Sequence, residues 1–336
     1  MKEKPYFLLI LAAAILMAFV YGWLNIATAP NSGARIFNSP DEMANFYFTK
    51  NFADNNKLFV ANPLPVNLGP RAILTKDGML KPGSFLGIIL IYGAIAKIFG
   101  SGIIIYLTLL ISIFSAMFFY KFIREFFSQK IAFISALLLL IHPAYWYYNS
   151  RSMFHNVLFV NFLIIGFYWL TIYFKKETLA RLIFAAIFIL AALIVRTSEI
   201  LWLLPLLLVI LIINRKKIKV NHIVGAFVFL CFCVFVFFWY HYSTYGSLLS
   251  SGYGDKIKNF ISYFLPFGLN PRLILSNVYH YFFKMFWWLS WPALISILVY
   301  IFRWKKIEKK QQLYLCGLGF IFFWLIVYYG SWQLKD

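Results

Sequence analysis

Asp41 and Glu42 stand side by side in Ser39-Pro40-Asp41-Glu42, in a chain with only 11 acidic residues among 336. Carboxylates take and give protons, so an adjacent pair in an otherwise apolar and basic chain is the first candidate for general-base chemistry. The same four residues also spell a helix start. Ser offers an N-cap oxygen, Pro suits the first helical position, and Asp faces the positive end of the dipole. Glu three residues after Ser completes a capping box. The two readings coexist, because a carboxylate pinned at a helix start is rigidly aimed and kept ionised. Met43, Phe46 and Tyr47, with Lys50 beyond, continue at helical spacing.

Three basic residues are placed to meet an anion: Lys81 in Lys81-Pro82-Gly83, Arg151 in Ser150-Arg151-Ser152, and Arg196. Each has an alternative fate in snorkelling to lipid headgroups. Arg196 stands three residues from Glu199, near enough for an ion pair at a tight turn. An ionisable pair near membrane depth is a functional hypothesis by default. His142 and His155 flank Tyr145, Trp146, Tyr147 and Tyr148, which serve as an interfacial belt or as stacking surface for a sugar or prenyl chain. No spacing of His, Cys and carboxylates matches a zinc site, no cofactor is certain, and a divalent metal stays open without a second carboxylate to support it. Cys231, Cys233 and Cys316 lie within apolar runs and give no disulfide framework. A Gly-rich nucleotide loop is absent, which argues against a nucleotide-driven enzyme.

These residues must be positioned by membrane helices. Hydrophobic residues make up 62% of the chain, charged residues 12% and aromatics 21%, with mean hydropathy +0.78. Soluble domains are closer to half apolar and a quarter charged, so the expectation is an all-α polytopic membrane protein. Apolar runs cover 6–26, 103–120, 131–148, 153–174, 179–195, 200–213, 223–242, 278–302 and 313–329. The first is too long for a signal peptide and no cleavage site follows, so it reads as a retained span. Ser84–Phe99 is about a turn short of the ~20 residues a crossing needs and carries Lys97, so it reads as an interfacial helix.

Charge then sets orientation. With a cytoplasmic N-terminus and no crossing at Ser84–Phe99, 17 of the 31 Lys and Arg residues fall in cytoplasmic segments. The two short outer turns carry only Arg151 and Arg196. Letting Ser84–Phe99 cross would put the Arg215–Lys219 cluster outside, against the positive-inside rule. The net charge of +20 is thus accounted for by topology rather than by a nucleic-acid partner. Nine crossings follow, with interfacial helices in a first outer loop at 27–102 and a second large outer loop at 243–275. The run 179–213 folds as a hairpin with Arg196-Thr197-Ser198-Glu199 at its outer tip.

The order Pro40-Asp41-Glu42, Lys81-Pro82, Ile98-Phe99-Gly100, His142-Pro143 through Arg151, and Arg196 followed by Pro205 resembles the GT-C class of membrane glycosyltransferases. That class includes protein O-mannosyltransferases and the aminoarabinose transferase of lipid A. Tyr245-Gly246-Ser247 through Gly252-Tyr253 looks like the outer loop that many members carry. The resemblance covers nearly the whole chain, here a single domain over 1–336. It implies a polyprenyl-phosphate-linked sugar as donor, and a lipid-linked glycan, a lipid or a protein as acceptor. Carried over, Asp41 is the general base and Glu42 its neighbour, orienting acceptor or backbone. Lys81 and Arg196 hold the donor phosphate, and Arg151, His155, Glu199 and Tyr253 complete the substrate-binding set. Where many relatives carry an acidic residue after the His-Pro-like step, this chain has His155 and Asn156. The chain also stops at Asp336, where members often continue, which reads as a truncated, minimal or inactive relative.

The expected activity is inverting transfer of a hexose or pentose at the outer face of a plasma or inner membrane. One rival is a lipid-linked sugar flippase, which would show repeated halves and broken mid-membrane helices and gives Asp41 and Glu42 no task. The other is a non-catalytic membrane subunit, to which the missing second carboxylate and the short C-terminus point.

Overall fold

The computed structural model describes residues 4–27, 37, 39–61, 71–75, 78–246 and 268–331. Thirteen α-helices occur among them, named α1 Lys4–Ala27, α2 Pro40–Asn55, α3 Gly87–Phe99, α4 Ile104–Arg124, α5 Gln129–Ile141, α6 Pro143–Ser150, α7 His155–Lys176, α8 Leu179–Val195, α9 Ile200–Ile213, α10 Val220–Tyr245, α11 Pro271–Val278, α12 Trp287–Phe302 and α13 Lys309–Tyr329. The chain is an all-α polytopic membrane protein, as composition leads one to expect. Five helices among the described residues are long and apolar enough to cross singly, and up to eight spans result if each of three bent pairs counts once. The sequence count of nine exceeds this range by treating α8 and α9 as separate crossings. At 17 and 14 residues, neither alone reaches the ~20 residues of a span. Arg196 ends α8 and a single 3₁₀ turn, Thr197–Glu199, opens α9, so the run 179–213 does break at its expected tip.

The described chain divides into two compact units, residues 1–197 with 214–255, and residues 198–213 with 256–336. In the first, α7 and α8 pack most extensively, with α4 on α7 and α1 on α4 and α5. Small residues make these approaches close. Ile10, Ala14, Ala18 and Tyr21 form one buried face of α1, whereas Leu16, Phe19 and Trp23 face outward. Ala14 joins Ala116, Leu140, Tyr145 and Val157 in one core cluster. On α7, a Cβ at Gly166 would come within 2.7 Å of Ile189 Cγ1 on α8. Between α5 and α6 the chain bends by 54° at His142, whose extended backbone (ψ 125°) is what a following proline imposes.

The segment between α2 and α3 departs from a purely helical expectation. Between α2 and α3 lies a three-stranded antiparallel sheet in the order β1-β3-β2, with β1 Val60–Ala61, β2 Ala72–Leu74 and β3 Met79–Pro82. Register pairs Ile73 with Lys81 and Ala72 with Pro82. Helix α3 rests against α2 and α8, and its 13 residues span about 20 Å, short of the ~30 Å hydrocarbon core. Its start is seated on the end of α8, where a Cβ at Gly87 would collide with the Ile194 carbonyl. Gly87→Ala is therefore expected to cost about 1–3 kcal/mol, read as a lower thermal midpoint in detergent. An unchanged midpoint would show that the contact is not tight.

In the second unit, α9 packs on α13. Asn277 Nδ2 donates to the Gly330 carbonyl at 2.7 Å, and the Asn270 N–H donates to Ser331 Oγ at 2.8 Å.

Candidate functional site

Helix α2 aims the acidic pair. Ser39 caps it, its Oγ accepting the Glu42 N–H at 3.3 Å, and Pro40 occupies the first turn. Asp41 sits half-buried, with 29% of its side chain exposed, and is ion-paired through Oδ1 to Arg71 Nε. Burial raises the Asp41 carboxyl above the ordinary aspartate value, and the Arg71 guanidinium pulls the other way. The expectation that the helix start keeps this group ionised thus meets an opposing desolvation, which Arg71 offsets only in part.

Glu42 points inward. Its side chain is fully buried and accepts Arg151 Nε at 2.8 Å, with the guanidinium lying over Tyr147 and Phe154. Asn45, one turn further along α2, is also buried. Its Nδ2 donates to the Met153 carbonyl at 2.9 Å and its Oδ1 accepts Ser84 Oγ at 2.7 Å. The buried face of α2 is Glu42, Ala44, Asn45, Phe48, Thr49 and Phe52, while Met43, Phe46 and Tyr47, at their helical spacing, are only partly buried. Polar residues on the inner face of a helix are what a hydrophobicity count discards.

The segment from Lys81 to Phe85 is the hub. Its Gly83 N–H donates to the Arg71 carbonyl at 2.8 Å. The Tyr245 hydroxyl at the end of α10 donates into the Pro82 and Ser84 carbonyls, 2.9 and 3.0 Å away. The Tyr245 ring carries Lys81 Nζ 5.3 Å from its centroid. His155, at the start of α7, holds the Phe85 carbonyl through Nε2 at 3.0 Å. With that nitrogen donating, the neutral ring leaves Nδ1 as an acceptor. The neighbouring Asn156 Oδ1 accepts Arg196 Nη1. Arg71 and Arg196 are both within electrostatic reach of the His155 ring. Asp41, Arg71, Lys81, His155 and Arg196 therefore belong to one connected arrangement in the first unit.

Among these, Arg71 carries no sequence motif. The available signal was Asp77-Gly78 between Ala72-Ile73-Leu74 and Met79-Leu80, a dipeptide that marks hairpin turns. Glu199 lies in the second unit, buried, where it accepts Trp202 Nε1 at 2.5 Å and the Tyr329 hydroxyl. Tyr253 with the rest of residues 247–267, and residues 28–36, 38, 62–70 and 76–77, lie outside the described residues. Among the described residues, no three His, Cys, Asp or Glu side chains gather as a metal site requires.

Residues 85–241 match the family of dolichyl-phosphate-mannose-protein mannosyltransferases. The match bears out the resemblance to GT-C enzymes and supports a membrane glycosyltransferase. It takes in Arg151, His155, Arg196 and Glu199; Asp41, Glu42, Arg71 and Lys81 precede it, and Tyr245 and Tyr253 follow it. No curated protein matches the chain.

Proposed function

We propose that this protein is an inverting glycosyltransferase that moves a sugar from a polyprenyl-phosphate donor to an acceptor at the non-cytoplasmic face of the membrane. The observation that carries this reading is the Asp41–Arg71 pair at the start of α2, with the Arg196 cation and the neutral His155 ring beside it. It supplies one base and several cations, which is what the chemistry needs. The departing lipid phosphate is a good leaving group, so no strong general acid is required, and fixed cations at Lys81 and Arg196 stabilise its growing charge. The acceptor hydroxyl is a poor nucleophile, and Asp41 takes its proton. Attack opposite the phosphate inverts the anomeric carbon. The family match supports dolichyl-phosphate mannose and a protein hydroxyl as the first donor and acceptor to try. Positive-inside asymmetry supports a cytoplasmic N-terminus and an outward-facing Asp41.

The test is transfer in reconstituted vesicles, with labelled dolichyl-phosphate mannose in the bilayer and a Ser/Thr-rich peptide supplied on one side at a time. Product is expected only when the peptide is on the side of residues 39–61. No product from either side, with this donor and with other polyprenyl-phosphate hexoses and pentoses, overturns the assignment. In the same assay, Arg196→Ala is expected to raise the donor KM about tenfold or more, the scale of one charge-assisted hydrogen bond. An unaltered donor KM would return Arg196 to a lipid headgroup.

A further inference from the structure

Arg71 stands where the two halves of the site meet. Its Nε pairs with Asp41, its charge reaches His155 alongside that of Arg196, and its carbonyl is tied to Gly83, two residues past Lys81. A carboxylate in direct contact with a guanidinium is a poor proton acceptor, because the cation favours its ionised form and occupies a lone pair. A phosphate oxygen competes for the same planar fork. The donor is a phosphodiester with one negative charge. As its bond to the sugar breaks, the electron pair stays on the phosphate, which gains a second negative charge. Its pull on a nearby guanidinium therefore grows during the reaction.

We propose that Arg71 is a shared counter-ion: it holds Asp41 before the donor arrives and passes to the donor phosphate, freeing Asp41 for the acceptor proton. This role rests on Asp41 being the general base. Both side chains are partly exposed, 36% for Arg71 and 29% for Asp41, so the exchange breaks a solvent-screened pair rather than a buried one. The step balances. The acceptor O–H bond breaks with its proton going to Asp41, the new C–O bond forms, and the sugar–phosphate bond breaks with its electron pair on the phosphate. Arg71 then faces that phosphate. The other charged groups around it are Lys81 on β3, Arg196 at the end of α8 and the Glu42–Arg151 pair, and the neutral His155 ring on α7 is the remaining titratable group. Donor binding thus precedes productive acceptor binding.

A water-soluble carbodiimide, which couples protonated carboxyls, reads this directly on the full-length protein in nanodiscs. Peptide mass spectrometry quantifies Asp41 labelling, with exposed Glu308 as the internal control. At a fixed mildly acidic pH, saturating dolichyl phosphate is expected to raise Asp41 labelling about threefold or more. Arg71→Ala is expected to show high labelling with and without the lipid, and Arg71→Lys to restore low resting labelling. Wild-type labelling that is unchanged or lower with dolichyl phosphate, or Arg71→Ala labelling as low as wild type, overturns the exchange. Asp41→Asn in the transfer assay judges the base separately. If that variant still transfers sugar while the lipid shifts labelling in the wild type, the base assignment falls and with it the freeing of a base, and only the passage of Arg71 from Asp41 to the phosphate stands.

Discussion

Asp41→Asn is expected to lower the transfer rate by about 10²–10⁴-fold while leaving folding close to wild type and donor affinity undiminished or higher, since Arg71 no longer has a carboxylate to leave. The substitution keeps the shape of the side chain and the Ser39 cap on the Glu42 N–H, so α2 still starts where it does. It removes the ability to take a proton and the charge that meets Arg71. That ion pair is partly exposed, and such pairs contribute about 0–1 kcal/mol, so the fold tolerates its loss. The decisive measurement is kcat with the donor saturating, beside a donor-binding titration. Unchanged turnover would remove Asp41 as the base, and equal losses in expression and turnover would make it structural.

The same carboxyl sets a pH dependence. Burial lifts it above the ordinary aspartate value, and Arg71 only partly offsets this. The base is therefore lost to protonation as pH falls, starting above the pH at which an ordinary aspartate would titrate. Its effect on stability has the opposite sign. A carboxyl whose native value is raised binds its proton more tightly when folded, so its contribution is present at pH below the unfolded value and is lost as pH rises through the folded one. The conditions that make Asp41 a usable base are those in which it helps the fold least. Such a trade is common at sites held by a surrounding scaffold.

Local chemistry made much of this legible. The Ser39-Pro40-Asp41-Glu42 start of α2 follows from cap and dipole preferences, the bend at His142-Pro143 from proline sterics, and the long spans from hydropathy. Pairs joined across the chain were not legible. Glu42 and Arg151 are 109 residues apart, and Tyr245 and Ser84 are 161 apart. No periodicity in a short window encodes such partners. The small three-stranded sheet was missed for another reason. Its strands are two to four residues long, too brief for an alternating pattern to emerge. Only the Asp77-Gly78 turn signal pointed to it, and Arg71 reaches the site on that sheet.

Breaking the Glu42–Arg151 pair is expected to have the largest effect on stability. Glu42 has no exposed side-chain surface, and only 12% of the Arg151 side chain is exposed. Arg151→Ala strands a carboxylate away from water without its cation, which costs about 3–5 kcal/mol, a large fraction of a typical folding free energy of about 5–15 kcal/mol. Removing both charges, as in Glu42→Gln with Arg151→Met, leaves no buried ion and is expected to recover most of that loss. Thermal midpoints in detergent measure both, and a double variant no better than Arg151→Ala would mean the pair is not what holds this corner. Activity then separates two roles. Glu42 is the neighbour of Asp41 on the first turn of α2, and its tie to Arg151 fixes that turn against the α6–α7 junction. If the pair only aims Asp41, the refolded double variant regains transfer as it regains stability. A folded double variant that stays inactive would instead place Glu42 or Arg151 in contact with the substrate.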